Sequence, residues 1–165
     1  MAALKLTAMI IPDEVLESLS GGLSLLVACC GPDGRALCTR GVGLRVWPDR
    51  QRATLFLARA TASPLSDQLL VRPSVAFVLS RPNDYRTIQL KGRALAVRDA
   101  PDADRALVVE FVRAFADVVD GLGVPRHIGL RVAHWPCLAV DVEVTDIFAQ
   151  TPGPGAGAPL LRGGS

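Results

Sequence analysis

Between Leu23 and Ala58 three strand-length apolar runs follow one another: LSLLVACC at 23–30, RALCTRGVGLRVW at 35–47 and ATLFLA at 53–58. They are cut by GPDG at 31–34 and PDRQR at 48–52. Proline, glycine and aspartate so placed are turn formers, so the region reads as a hairpin extended into a three-stranded meander. Two more strands follow, SVAFVLS at 74–80 and the stretch from Tyr85 to Val97, joined through RPND at 81–84, and a last alternating strand spans 137–150. No regular strand-helix alternation supports a doubly wound parallel sheet. The expected fold is mainly β (α+β): an antiparallel barrel of six or more strands with a few flanking helices.

Three helices interrupt the strands. Residues 11–19 read as a short one, with Pro12 at its start, acids in its first turn and Gly21-Gly22 after it. A second is expected over 63–73, capped by Ser63, opened by Pro64 and stopped by Pro73. The third, 101–123, is the most strongly periodic: Leu107, Val108, Phe111, Val112, Phe115, Val118 and Val119 form one stripe, with Gly121 beyond its end. Residues 1–150 thus read as a single domain. The last fifteen, TPGPGAGAPLLRGGS, read as an irregular tail or surface arm.

A hydrophobic fraction of 50% is high for 165 residues, which points to apolar surface covered by a second copy, most simply a two-fold dimer. No run approaches the roughly 18 apolar residues of a spanning helix, and no signal peptide is evident, so neither membrane insertion nor export is expected. A net charge of +2 with both signs evenly spread offers no basic stripe for nucleic acid. Cys29, Cys30, Cys38 and Cys137 form no C-x-x-C pair and read as reduced, half-buried residues of a cytoplasmic protein. His127 and His134 sit in no metal-ligand or nucleophile pattern.

One face of the 35–47 strand, by parity, carries Ala36, Cys38, Arg40, Val42, Leu44 and Val46: apolar except for one guanidinium. An arginine there needs an anion, because an unpaired charge in low dielectric is costly. A local carboxylate and a bound ligand are both open. The following connection, ARATAS, brings Thr61 and Ser63 to a helix start, where N–H groups and the helix dipole favour a phosphate or simply a cap. His134 and Trp135 precede the last strand, and read as core packing or as a ring-stacking contact to a substrate. On the strand after RPND, Gln89, Lys91 and Arg93 share one side, facing either water or a ligand.

The order CTRGVGLRVW, LFLARATASPLSDQLLVRPSVAFVLS, DYRTIQLKGRALAV resembles the pyridoxamine 5′-phosphate oxidase-like FMN-binding split barrels over residues 20–150. That resemblance implies a homodimeric flavoprotein, a small oxidoreductase using FMN on a small-molecule substrate or electron donor. It implies further that Arg40 and Thr61, Ala62 and Ser63 hold the FMN phosphate, and that Gly41, Val42, Leu57 and Ala58 offer backbone to the isoalloxazine. Gln89 and Lys91 would then face the flavin at the subunit interface, with Arg93 solvated. Ser63 stands where the family often has a basic residue. The other reading is a non-enzymatic split barrel that carries or senses flavin, haem or another planar ligand.

Overall fold

In the computed structural model, which describes residues 8–162, the elements run α1 (Asp13–Ser18), β1 (Ser24–Cys30), β2 (Ala36–Val46), β3 (Arg52–Ala58), α2 (Arg59–Val71), β4 (Ser74–Ser80), β5 (Thr87–Asp99), α3 (Arg105–Asp120), α4 (Arg126–Gly129), β6 (Cys137–Ala149) and β7 (Pro159–Arg162). Every strand pairing is antiparallel, in the order β3-β2-β1-β4-β5-β6-β7, and β3 also pairs with β6. That last pairing closes β1–β6 into a six-stranded barrel. β7 lies outside it, against the far half of β6.

The barrel interior is filled from β1, β3, β4, β5 and β6: Leu25 and Val27, Leu55 and Leu57, Phe77 and Leu79, Leu90, and Val140, Val142, Val144 and Ile147 are all buried in one cluster. Ala62, Leu65 and Leu69 of α2 join it, and α2 touches β1, β2, β3, β5 and β6, so this helix stops one mouth of the barrel. Ile11 and Val15 close the region of the β2–β3 turn, where the Ile11 N–H donates to the Arg50 carbonyl. A second cluster lies outside the wall, where Val108 and Val112 of α3 cover Val42, Phe56, Ala58, Cys137 and Ala139. The chain at Gly22 makes this seat possible: a Cβ there would stand 2.2 Å from the Ala114 carbonyl oxygen.

Four local expectations need correction. α2 starts at Arg59, four residues before Ser63, because β3 runs straight into it and the Arg59 N–H is already taken by the Pro136 carbonyl at 2.9 Å. Ser63 is therefore not its cap, and Pro64 lies inside the helix. Strict parity along β2 also fails. Gly41 pairs with Leu57 but Gly43 with Phe56, a bulge that adds one residue to β2. Before it, Leu37 and Gly41 face inward with Cys29 and Leu25. After it, Leu44 and Val46 do, and they pack on the barrel core instead of sharing a face with Arg40. Thirdly, the stretch read as an irregular tail holds β7, whose backbone pairs at Asp146↔Arg162, Ile147↔Leu161 and Phe148↔Pro159. Proline suits such an edge, where one side of the strand has no ladder to complete. The long helix is shorter than its pattern, 105–120, and is preceded by a 3₁₀ turn at Asp102–Asp104.

Candidate functional site: the bare outer wall of the barrel

Register decides what stands on the outer side of β2, β1, β4, β5 and β6. Directly opposed residues of an antiparallel pair point to the same face. One row therefore reads Arg40, Leu26, Val78, Gln89, Phe148, and the next reads Cys38, Ala28, Ala76, Lys91, Asp146. Arg40 and the pair Gln89 and Lys91 thus share one wall, three strand spacings or about 14 Å apart along it. Between them lies a floor of Leu26, Ala28, Ala76 and Val78. No helix of the described residues covers this floor: Leu26 is 44% exposed.

Arg40 is half-buried, and its guanidinium lies over the Phe115 ring of α3, 5.0 Å from the centroid. Among the described residues it has no carboxylate partner. The cleft between it and α3, lined by Leu23, Phe111, Val112, Phe115 and Val132, has a volume of only about 10 Å³. At the other side of the floor the Lys91 ammonium stands 4.7 Å from the Phe148 ring centroid, and it too lacks a carboxylate within ion-pair distance. The carboxylate next to it in register, Asp146, accepts instead from the Thr145 hydroxyl at 2.9 Å. Lys91 and Asp146 border a groove of about 380 Å³ with Ala28, Cys30, Ala76 and Gly92. The Gln89 side-chain carbonyl accepts from the Gln150 amide at 3.3 Å.

The other expected site residues fall elsewhere. Gly41 faces inward, where an added Cβ would lie 2.3 Å from Leu25, so the backbone here needs glycine for close packing. Val42, Leu57 and Ala58 are buried in the two clusters. The Thr61 hydroxyl is held within the protein: it accepts from Thr39 at 3.3 Å and donates to the Ala58 carbonyl at 3.4 Å. Ala62 is fully buried. Ser63 borders a different depression, with Arg59, Ser66 and Asp67, and its hydroxyl points to the Asp67 carboxylate at 3.5 Å. The structure therefore brings Arg40, Gln89 and Lys91 to one wall and does not bring Thr61, Ala62 and Ser63 into the Arg40 cleft.

His134 and Trp135 pack locally. Trp135 rests against the outer cluster under Arg105, and His134 Nδ1 is 2.7 Å from the Val132 carbonyl. Burial pushes the Cys137 thiol up to about 11, so this cysteine is no nucleophile. No cluster of metal-ligating side chains occurs among the described residues, and no helix among them is long and apolar enough to cross a membrane. Sequence reasoning missed Phe115 and Phe148 as neighbours of the two cations. Phe115 was visible only as one member of a core stripe, and Phe148 could be found only by carrying register from β5 to β6.

No family model and no curated protein matches the chain. Solved structures do. An F420 reductase aligns over 83% of this chain and 98% of its own with a TM-score of 0.53 at 17% identity. The Group A Streptococcus protein HupZ aligns over 89% and 100%, with a TM-score of 0.54 at 14% identity. A pyridoxamine 5′-phosphate oxidase candidate from Lactobacillus delbrueckii aligns over 85% and 94%, with a TM-score of 0.52 at 11% identity. At these identities the likeness is one of fold: this chain has the split β-barrel fold of those structures.

Proposed function

We propose that the bare wall is the seat of FMN in a homodimer, and that the protein is a small flavin-dependent oxidoreductase. The observation that carries this reading is a half-buried arginine without a carboxylate partner among the described residues, standing across an apolar floor from an amide and an ammonium. Those groups fit the ligand. Arg40 suits a phosphate, since a guanidinium offers charge-assisted donors in a fixed fork. The flat floor of Leu26, Ala28, Ala76 and Val78 suits a planar ring system. Gln89 and Lys91 suit its polar edge. The bound flavin supplies hydride or electron transfer, and the chain's own residues bind and orient it and exclude water. The reading rests on Arg40, Gln89 and Lys91, and not on Thr61, Ala62 and Ser63, which do not line the Arg40 cleft.

The dimer follows from the same wall. An exposed leucine amid small apolar residues on an uncovered sheet face is a surface that a second copy would bury. Such a copy would also seal a ligand lying on the floor. A second reading, a carrier or sensor of a planar ligand, draws on the wall's lack of an obvious proton donor other than Lys91 and the cysteines. Haem would find no imidazole there, because both histidines lie off this wall.

The test is direct titration of the purified protein with FMN, followed by quenching of flavin fluorescence. Wild type should bind near one FMN per chain, and Arg40→Ala should lose that binding while keeping its circular dichroism. Unchanged binding in the variant rejects the site. NAD(P)H-driven bleaching of the bound flavin separates the enzyme from the carrier.

A further inference from the structure

Resting on the reading of Arg40 as an anion-binding residue, we propose that Phe115 of α3 sets the anion affinity of the wall: an aromatic latch with which a ligand phosphate must compete for the guanidinium.

Two observations carry this. The first is contact: the guanidinium already lies over a ring at 5.0 Å, a favourable arrangement that is lost if the side chain leaves the ring to meet a phosphate over the open floor. The second is space. The cleft beside Arg40 holds about 10 Å³, room for about one water and not for a phosphate group, and its walls are the side chains of Phe111, Val112, Phe115, Leu23 and Val132.

The helix itself is not free to withdraw. Val108 and Val112 are buried against the barrel wall. The turn at Gly22 meets the Ala114 carbonyl so closely that no side chain would fit, and Gly129 of α4 sits against Ala116, where a Cβ would come within 2.8 Å of the alanine methyl. What can move is the half-buried Phe115 side chain, or the Arg40 side chain, which can leave the ring and swing over the open floor towards Leu26. Either movement breaks the same contact. Phe115 thereby lowers the affinity of Arg40 for every anion by a common factor, so that only a ligand with further contacts on the wall binds tightly. Inorganic phosphate has only the guanidinium to gain. A phosphomonoester whose organic part lies on the floor has more.

The experiment compares wild type, Phe115→Leu, Phe115→Tyr, Arg40→Ala and the double variant Arg40→Ala/Phe115→Leu, each titrated with FMN and with inorganic phosphate by calorimetry, with circular dichroism to verify folding. Leucine keeps an apolar side chain on α3 but removes the ring, so Phe115→Leu should bind both anions more tightly, by about two- to thirtyfold, the range of a single cation–π contact. Tyrosine keeps the ring and should bind as wild type does. The gain should vanish in the double variant. Equal or weaker binding by Phe115→Leu overturns the latch, as does a gain that survives removal of Arg40. If Arg40→Ala binds FMN as wild type does, the proposed phosphate site itself fails; if it loses FMN and Phe115→Leu gains nothing, only the latch fails.

Discussion

Two walls of one barrel treat their positive charges in opposite ways. On the wall formed by β3, β6 and the ends of β2 and β5, arginines meet carboxylates. Arg45 pairs with Asp104 at 2.5 Å, and Arg98 donates to Asp141 from Nε at 3.2 Å and from Nη2 at 3.1 Å. Asp141 also accepts from Thr54, whose hydroxyl accepts in turn from the Trp47 indole. α3 lies over part of this wall, and Asp104, Thr54 and Asp141 are buried. On the wall formed by β2, β1, β4 and β5, Arg40 and Lys91 face aromatic rings and a floor of small apolar residues, with no carboxylate of the described residues at ion-pair distance. The contrast separates structural charge from available charge. A carboxylate that a fold buries with its arginine is spent on the fold, whereas a cation left over a ring can still be claimed by a ligand.

The largest expected effect lies on the paired wall. Asp141→Ala removes an acceptor from both Thr54 and Arg98 and leaves their donors on a nearly closed surface. Breaking a buried pair costs about 3–5 kcal/mol, and since the Arg98 side chain is 39% exposed the expected loss is about 2–3 kcal/mol in a urea unfolding curve, with FMN affinity unchanged. A loss of flavin without a loss of stability would invert the comparison.

Arg40→Ala should do the reverse: a drop in FMN affinity of about 1.5–3 kcal/mol, the range for hydrogen bonds to charged groups, and a shift in unfolding free energy under about 1 kcal/mol, the worth of one partly exposed cation–π contact. Leu26→Glu probes the bare wall as a surface. A carboxylate at the centre of the floor should leave the monomer folded, since Leu26 is 44% exposed, and sedimentation should show the two-fold dimer dissociating. A wild type that sediments as a monomer at micromolar concentration removes the dimer altogether.

Much of this contrast was written in the sequence, and its missing parts have physical causes. GPDG marked the β1–β2 hairpin, but not its register: the strands are separated by five residues, 31–35, which sets Leu26 opposite Arg40 and Ala28 opposite Cys38. The closure of β3 on β6 did not follow, because that pairing joins residues some ninety positions apart with no turn between them. The bulge at Gly41 and Gly43 also escaped parity, which assumes one residue per rung. Its cause is visible afterwards: Gly41 must lie flat on Leu25, and a Cβ on Gly43 would press on Phe56 and Leu107. The start of α2 was misplaced because Ser63-Pro64 is a good helix opening, yet Arg59 had already been captured by the Pro136 carbonyl. The earlier start places Thr61 and Ser63 within the opening turns of α2 instead of ahead of it.

The smallest effects sharpen the comparison most, because they fall on one strand. Lys91 and Arg93 stand two residues apart on β5, both exposed and both outside any ion pair among the described residues. Register divides them. Lys91 opposes Ala76 at the floor and lies over Phe148, whereas Arg93 opposes Ser74 on one side and Glu143 on the other, where β4 comes to its end. A negative edge of a ligand on the floor would lie near the ammonium, and the guanidinium of Arg93 has a carboxylate as its cross-strand neighbour instead. Lys91→Ala should therefore weaken FMN binding by about 1–2 kcal/mol, at and below the low end of the range for a charged donor because the group is exposed, and Arg93→Ala by less than about 0.5 kcal/mol. Raising the salt concentration should shrink the first effect and leave the second near zero. Equal losses from both variants would mean that the strand acts on the ligand only through its summed charge, and the distinction between floor and margin would go with it.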